Sequence, residues 1–355
     1  MTSDHGWLFS ARADVAVFGG SALLSFALLL VGWKAGVLHG ATPDWTWVPA
    51  VLLVDVAHVW ATGFRVYFDR RELERRPLLY ALVPVACFAA GVALYRVGAG
   101  VFWRSVAYLA IFHFVRQQYG WMALYRARRG DTGRLGQAID TAAIYAATIY
   151  PLLYWHTHLP RRFDWLMSGD VAAVPAWVDD VAFPFYVTCL LAYAARSIGE
   201  WARPRGGSPG KDLLVVTTAA CWYVGIVAFN SDYAFTVTNV FPHGIPYIAL
   251  VFWWTTTQGP KIRRPSLVTL LATIWVVAYV EELLWDRGVW ADRAWLFGTP
   301  WALPSLRPWL VPLLAVPQLT HYVLDGFLWR RGSDPRVRRA FGAEREAAHA
   351  LPIGG

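Results

Sequence analysis

Four histidines in this sequence stand inside otherwise apolar runs, and each belongs to a polar stripe at helical spacing. Gln318, His321, Asp325 and Trp329 fall at i, i+3, i+7 and i+11, which places them on one face of a helix. Asp55, His58, Thr62, Arg65 and Asp69 follow a 3-4-3-4 spacing to the same effect. His113, Arg116, Gln117 and Gly120 form a third stripe. Thr236, Asn239, His243 and Tyr247 form the fourth, where Pro242 and Pro246 predict a kink beside the histidine. Ionisable groups are costly in such surroundings and need a partner or a role.

Imidazole suits iron, zinc and copper, and a carboxylate helps to hold a harder ion such as iron(II) or manganese. His58, His113, His243 and His321 are therefore the candidate metal ligands, with iron the expected ion and zinc or manganese the other candidates. Polar neighbours one turn away would fix the ring tautomers. Arg65, Arg116 and Gln117 are candidates for binding a substrate head group or stabilising developing negative charge. Asp325 has two candidate roles, as a ligand or as the partner of Arg65 or Arg116, and the second is preferred because an unpaired buried arginine is costly. A structural reading competes with all of these. A lone histidine in a membrane helix is more often an interhelical hydrogen-bonding group than a ligand.

The elements that must carry these stripes follow from composition. The 355 residues are 57% hydrophobic and 16% charged, against about 25% charged in a soluble domain. Apolar segments lie at about 14–38, 45–68, 77–98, 101–125, 137–158, 181–200, 211–229, 233–257, 265–285 and 305–330. The fold class expected is all-α, a polytopic transmembrane bundle of about ten spans. Of the loop arginines and lysines, 21 share a side with the N-terminus and 7 lie opposite. The positive-inside rule then places both termini in the cytoplasm. The four histidines fall on even-numbered spans, roughly 13–21 Å from their inner ends, which is one common depth. Residues 1–330 are expected to form a single membrane domain. Residues 331–355 are expected to be a basic tail with a short surface helix.

The charge of +8 is accounted for by these loops, so nucleic acid is not an expected partner. The expected partners are membrane lipid and an apolar small molecule. The excess of arginine over lysine suggests a bacterial inner-membrane protein. Cys87, Cys189 and Cys221 lie in apolar segments without metal-ligand spacing and read as buried small residues. Glu281 and Glu282 read as solvated charges at a helix end, and Asp140 as interfacial, with pairing to a stripe arginine the alternative. His156 and His158, at i and i+2, do not share a helical face. His5, His39 and His349 have no supporting pattern.

Isolated histidines in apolar helices, with the run His113-Phe114, resemble the bacterial carotene-cleaving membrane dioxygenases of the Brp/Blh family. That resemblance implies four helix histidines around iron and an apolar substrate. It covers the style of the site and not the rest of the chain, and the family's His-Phe-Gly run is only approximated here. Two other chemistries remain open to the same residues. Two histidines could be axial ligands of a b-type haem, or His, Asp and Arg could line a transport or proton-relay path without a fixed metal.

Overall fold

The structure is a computed structural model that describes residues 6–204, 206–259 and 264–342. His5, Arg205, Lys261, Arg263, Arg345 and His349 lie outside the described residues, as does the tail from 343 onward. The described residues contain helices and no strand. The long helices are α1 (Ala11–Lys34), α2 (Asp44–Arg65), α4 (Pro77–Val97), α5 (Ala99–Arg129), α6 (Arg134–Thr157), α7 (Trp177–Trp201), α8 (Pro209–Ala228), α9 (Asp232–Thr257) and α10 (Leu267–Trp290). Short α3 (Arg70–Arg75) joins α2 to α4, and α11 (Arg307–Leu314), α12 (Val316–Leu328) and α13 (Pro335–Phe341) close the chain.

The helix ends follow local chemistry. Ser10, Ser231 and Ser266 accept backbone N–H groups of Ala13, Ala234 and Thr269 at helix starts. Pro77 and Pro209 occupy first-turn positions, where no N–H is needed. Gly130 ends α5 in the left-handed conformation, at φ 68°. Each of the ten apolar segments is helical. Among the described residues, seven helices are long and apolar enough to cross a membrane: α1, α2, α4, α7, α8, α9 and α10. The last apolar segment departs from the continuous span expected. It divides at Ala315 into α11 and α12. Pro317 has no N–H to continue the ladder and fits a helix start instead.

Burial divides the helices by role. In α9, 72% of the apolar window is buried, against 11% in α4 and 17% in α7. Helix α9 is thus the central post. The outer helices present Leu78, Val85, Val181, Phe185, Leu191 and Val268 to the outside, an apolar surface suited to lipid and too extensive for water.

Two ion clusters tie the arginine-rich ends of the helices together. Arg65, fully buried at the end of α2, donates to Glu72 of α3 at 2.7 Å, to Asp334 at 2.9 Å and to the Leu328 carbonyl at 3.2 Å. Its guanidinium also lies 4.4 Å from the Trp254 ring. Arg75, Tyr80 and Arg336 add donors to Glu72, and Arg336 reaches Asp69 at 3.1 Å. The second cluster centres on Asp140, which is fully buried and receives Arg126 at 2.8 Å, Arg196 and Lys211 at 3.3 Å.

Through Asp334, α13 is tied to the bundle. Val337, Ala340 and Phe341 are buried, and the Phe341 ring stands 5.0 Å from Trp253. Glu281 also differs from its expected solvated state. It is buried, and its carboxylate accepts the Trp60 indole N–H at 2.5 Å.

The Glu72 cluster sets a pH dependence. Burial works to raise its carboxyl, but the Arg65 charge and the hydrogen bonds from Arg75, Tyr80 and Arg65 outweigh it and hold the pKa down to about 2, from an ordinary 4.5. A depressed folded-state pKa stabilises fully above the unfolded value, and that stability is lost as pH falls toward the folded one. Thermal unfolding of purified protein should therefore weaken progressively from about pH 4.5 to about pH 2. Glu72→Gln should remove this group's part of that slope and cost about 3 kcal/mol or more at neutral pH, because Arg65 loses a buried partner.

Candidate metal centre

Each of the four stripes belongs to a different part of the chain: α2, α5, α9 and α12. Packing turns all four inward. His58, His113, His243 and His321 are each at most 3% exposed. The Nε2 atoms of His58 and His243 stand 3.1 Å apart, and those of His113 and His321 stand 3.2 Å apart. Neighbouring ring centroids are 4.6 Å (His58–His243), 4.9 Å (His58–His321), 4.7 Å (His113–His321) and 5.2 Å (His113–His243). Ligand atoms of His58, His113 and His321 all lie within 4.8 Å of one another, and so do those of Asp55, His58 and His243, so either group could hold a metal ion.

The spacing has a simple measure. Two imidazole nitrogens on a tetrahedral ion, with bonds near 2.0–2.1 Å, are about 3.3 Å apart. The two Nε2 pairs fall just inside that figure.

The outward-facing ring atoms have their own neighbours. His321 Nδ1 is 2.7 Å from Thr62 Oγ1, which is 3.0 Å from the Tyr247 hydroxyl, and Tyr247 faces Asp325. With each N–H or O–H donating toward Asp325, His321 carries its proton on Nδ1, and its Nε2 lone pair is free. Asp325 Oδ2 also lies 3.9 Å from His113 Nδ1, and Asp55 Oδ1 lies 3.7 Å from His58 Nδ1. His243 has no partner at Nδ1. Its ring is held by stacking on Phe114, at 3.5 Å and 8°, and its carbonyl accepts Gln117 Nε2 at 2.9 Å. Tyr322 stacks on His113 at 4.7 Å, and Gln318 Nε2 donates to the Tyr322 hydroxyl at 2.6 Å.

Local backbone form contributes. Residues Val48–Val56 of α2 wind as a π-helix immediately before His58, a form frequent at functional sites. Gly244 lets α9 approach that segment. A Cβ there would stand 2.5 Å from Val54 Cγ1 and 3.1 Å from the Val54 carbonyl oxygen.

The remaining candidates separate. Gln117 is buried beside the histidines. Arg116 is exposed, donates to the Tyr145 hydroxyl and stacks on Tyr119 at 4.7 Å. Arg65 is away from the rings, its donors taken by Glu72, Asp334 and Leu328. Asp325 pairs with neither arginine, contrary to the preferred expectation, because Arg65 finds its carboxylates in α3 and before α13. His156 is satisfied by the Tyr108 hydroxyl at 3.0 Å and the Leu152 carbonyl at 2.6 Å, away from the cluster.

Sequence reasoning missed Phe114, Tyr322 and Gly244 as parts of the site. The small residue between Pro242 and Pro246 was the one available signal, since glycine in a buried helix permits close backbone approach.

A cavity of about 670 Å³ reaches His113 and Asp325 from one side of the cluster. A second, of about 340 Å³ and almost wholly apolar, reaches His321 and Thr62 from the other. Comparison of the chain with protein-family models, with curated proteins and with solved structures finds no match.

The α2–α9 contact is directly testable. Gly244→Ala should cost about 1–3 kcal/mol through overpacking against Val54. Chemical unfolding of the detergent-solubilised variant measures this, and wild-type stability would mean that the two helices are not pressed together here.

Proposed function

We propose that this protein is a multi-pass metalloprotein of a bacterial inner membrane, with about ten spans and both termini cytoplasmic. In this reading it is an oxidoreductase that uses iron, or a similar ion, on an apolar substrate such as a lipid, isoprenoid or carotenoid. The observation that carries the reading is the meeting of four buried histidines from four helices, paired through Nε2 at 3.1 and 3.2 Å. The asymmetry of basic loops supports the orientation. The apolar outer surface supports membrane residence.

His58, His113, His243 and His321 would hold the ion. When bound, it would supply Lewis-acid or one-electron chemistry at a substrate in the adjoining cavities. The chain's own residues do the rest. The Thr62–Tyr247 relay would hold the His321 proton at Nδ1 and aim its Nε2 inward, and the carboxylates of Asp55 and Asp325, 3.7 and 3.9 Å from the Nδ1 atoms of His58 and His113, supply negative charge on the outer side of those rings. Phe114 and Tyr322 fix two ring planes by stacking. Gln117 and Arg116 line the larger cavity beside His113, where they can orient a polar group of the substrate.

The ring packing favours a bare ion over haem, because a porphyrin between two axial imidazoles needs a slot, and the rings here stand edge to face with centroids 4.6–5.2 Å apart. A proton relay without metal is the second reading, since 3.1–3.2 Å is also hydrogen-bond distance between nitrogens.

Elemental analysis of purified protein separates the two. The metal reading expects about one transition-metal ion per chain, absent from His321→Ala. Thr62→Val keeps the side-chain shape and interrupts the relay, so metal affinity measured by chelator competition should fall about 10–100-fold. Metal-free wild-type protein, prepared with the metals supplied, would leave the proton relay as the reading.

A further inference from the structure

The larger cavity carries an imbalance of polar groups that points to its occupant. It lies along α5 from Phe112 to Leu124, a rise of about 18 Å. Its walls are mostly apolar and aromatic, including Trp121, Ile149 and Leu250. Three arginines line it, Arg116, Arg330 and Arg331, against one carboxylate, Asp325. Among the described residues no ion pair joins any of the three to a carboxylate. Arg116 meets Tyr145 and Tyr119, and Arg330 stacks over Phe327 at 5.1 Å.

Buried atoms without a hydrogen-bond partner also occur among the lining residues. Trp121 Nε1 and Arg331 Nε are donors without acceptors, while Trp329 is hydrogen-bonded to Asp325 and Tyr247. Trp121, one of the wall residues, is only 2% exposed. The unpartnered acceptors, Gln117 Oε1 and Asp325 Oδ1, belong to residues near the histidines. Buried polar atoms without partners are rare and call for a ligand or water. Donors and acceptors both lack partners here, and it is the excess of arginine over carboxylate that selects an anion.

The cavity also opens sideways. Phe112 and Ile149, both in its wall, are 60% and 41% exposed on the apolar outer surface. Arg330 follows the end of α12, nine residues beyond His321, which places it about 13 Å along the axis from the cluster.

We propose that this cavity binds a single-chain amphiphile with an anionic head, the head at Arg330 and Arg331 and the chain lying along α5 toward His113. Arg116 lines the same chamber near the lateral opening. The inference rests on the metal-centre reading for what happens to the chain, but not for its binding. It places the reacting carbons well along the chain, away from the head, and it disfavours an uncharged hydrocarbon. A carboxylate and a phosphate head share the chemistry these groups recognise.

The test uses the full-length protein in zwitterionic nanodiscs, with binding followed by thermal shift and metal content measured on the same samples. The probes are tetradecanoate, tetradecyl phosphate and tetradecan-1-ol. Both anions should stabilise the protein, the alcohol should do so at least about tenfold less effectively, and the better anion identifies the head group. Arg330→Gln with Arg331→Gln should weaken the anions by about tenfold or more, leave the alcohol unchanged and leave metal content at the wild-type level. Equal binding of alcohol and anions by wild type, or undiminished anion binding by the double variant, would overturn the proposal. Loss of metal from wild type would instead count against the metal centre.

Discussion

Four buried imidazoles share one layer in this protein, and the arrangement of the bundle around them follows from the cost of burying polar groups. The Nε2 atoms face one another in pairs at 3.1 and 3.2 Å. Three of the Nδ1 atoms look outward to Asp325, Asp55 and Thr62. Of these, only His321 Nδ1 is within hydrogen-bond distance of its neighbour, Thr62 Oγ1. For His58 and His243 neither Nδ1 has a hydrogen-bond partner.

Bringing four helices to one point demands precision away from the point itself. Gly244 removes the side chain that would hold α9 off α2. Arg65 closes the arginine-rich end by joining α2 to α3 and to the turn before α13. A charge buried to 0% exposure is tolerable because two carboxylates, a carbonyl and two indole faces surround it. The arginine therefore holds the helix that carries His58 and does not itself reach the rings.

The cavities on either side of the cluster differ in kind. One is nearly all apolar and ends at His321. The other carries positive charge along its length and ends at His113. Between them, the aromatic rings of Phe114 and Tyr322 stack on the histidines.

The sequence by itself determined the helical membrane character, the ten apolar segments and the four histidine stripes, because each is a property of one segment and its 3.6-residue period. Periodicity reports which way a side chain leaves its own helix axis. It does not report which other helix stands opposite, at what height, or with what rotation. Hence Arg65 was legible as a buried charge, while its partners Glu72 and Asp334 were not, since they lie in short polar segments with no periodic relation to it. Asp325 was legible as a neighbour of His321 on one face, but its approach to His113 at 3.9 Å comes from the packing of α12 on α5. The docking of α13, the burial of Glu281 and Asp140, and the break at Ala315 were decided in the same way. Each depends on contacts between segments, and only the tertiary structure sets those.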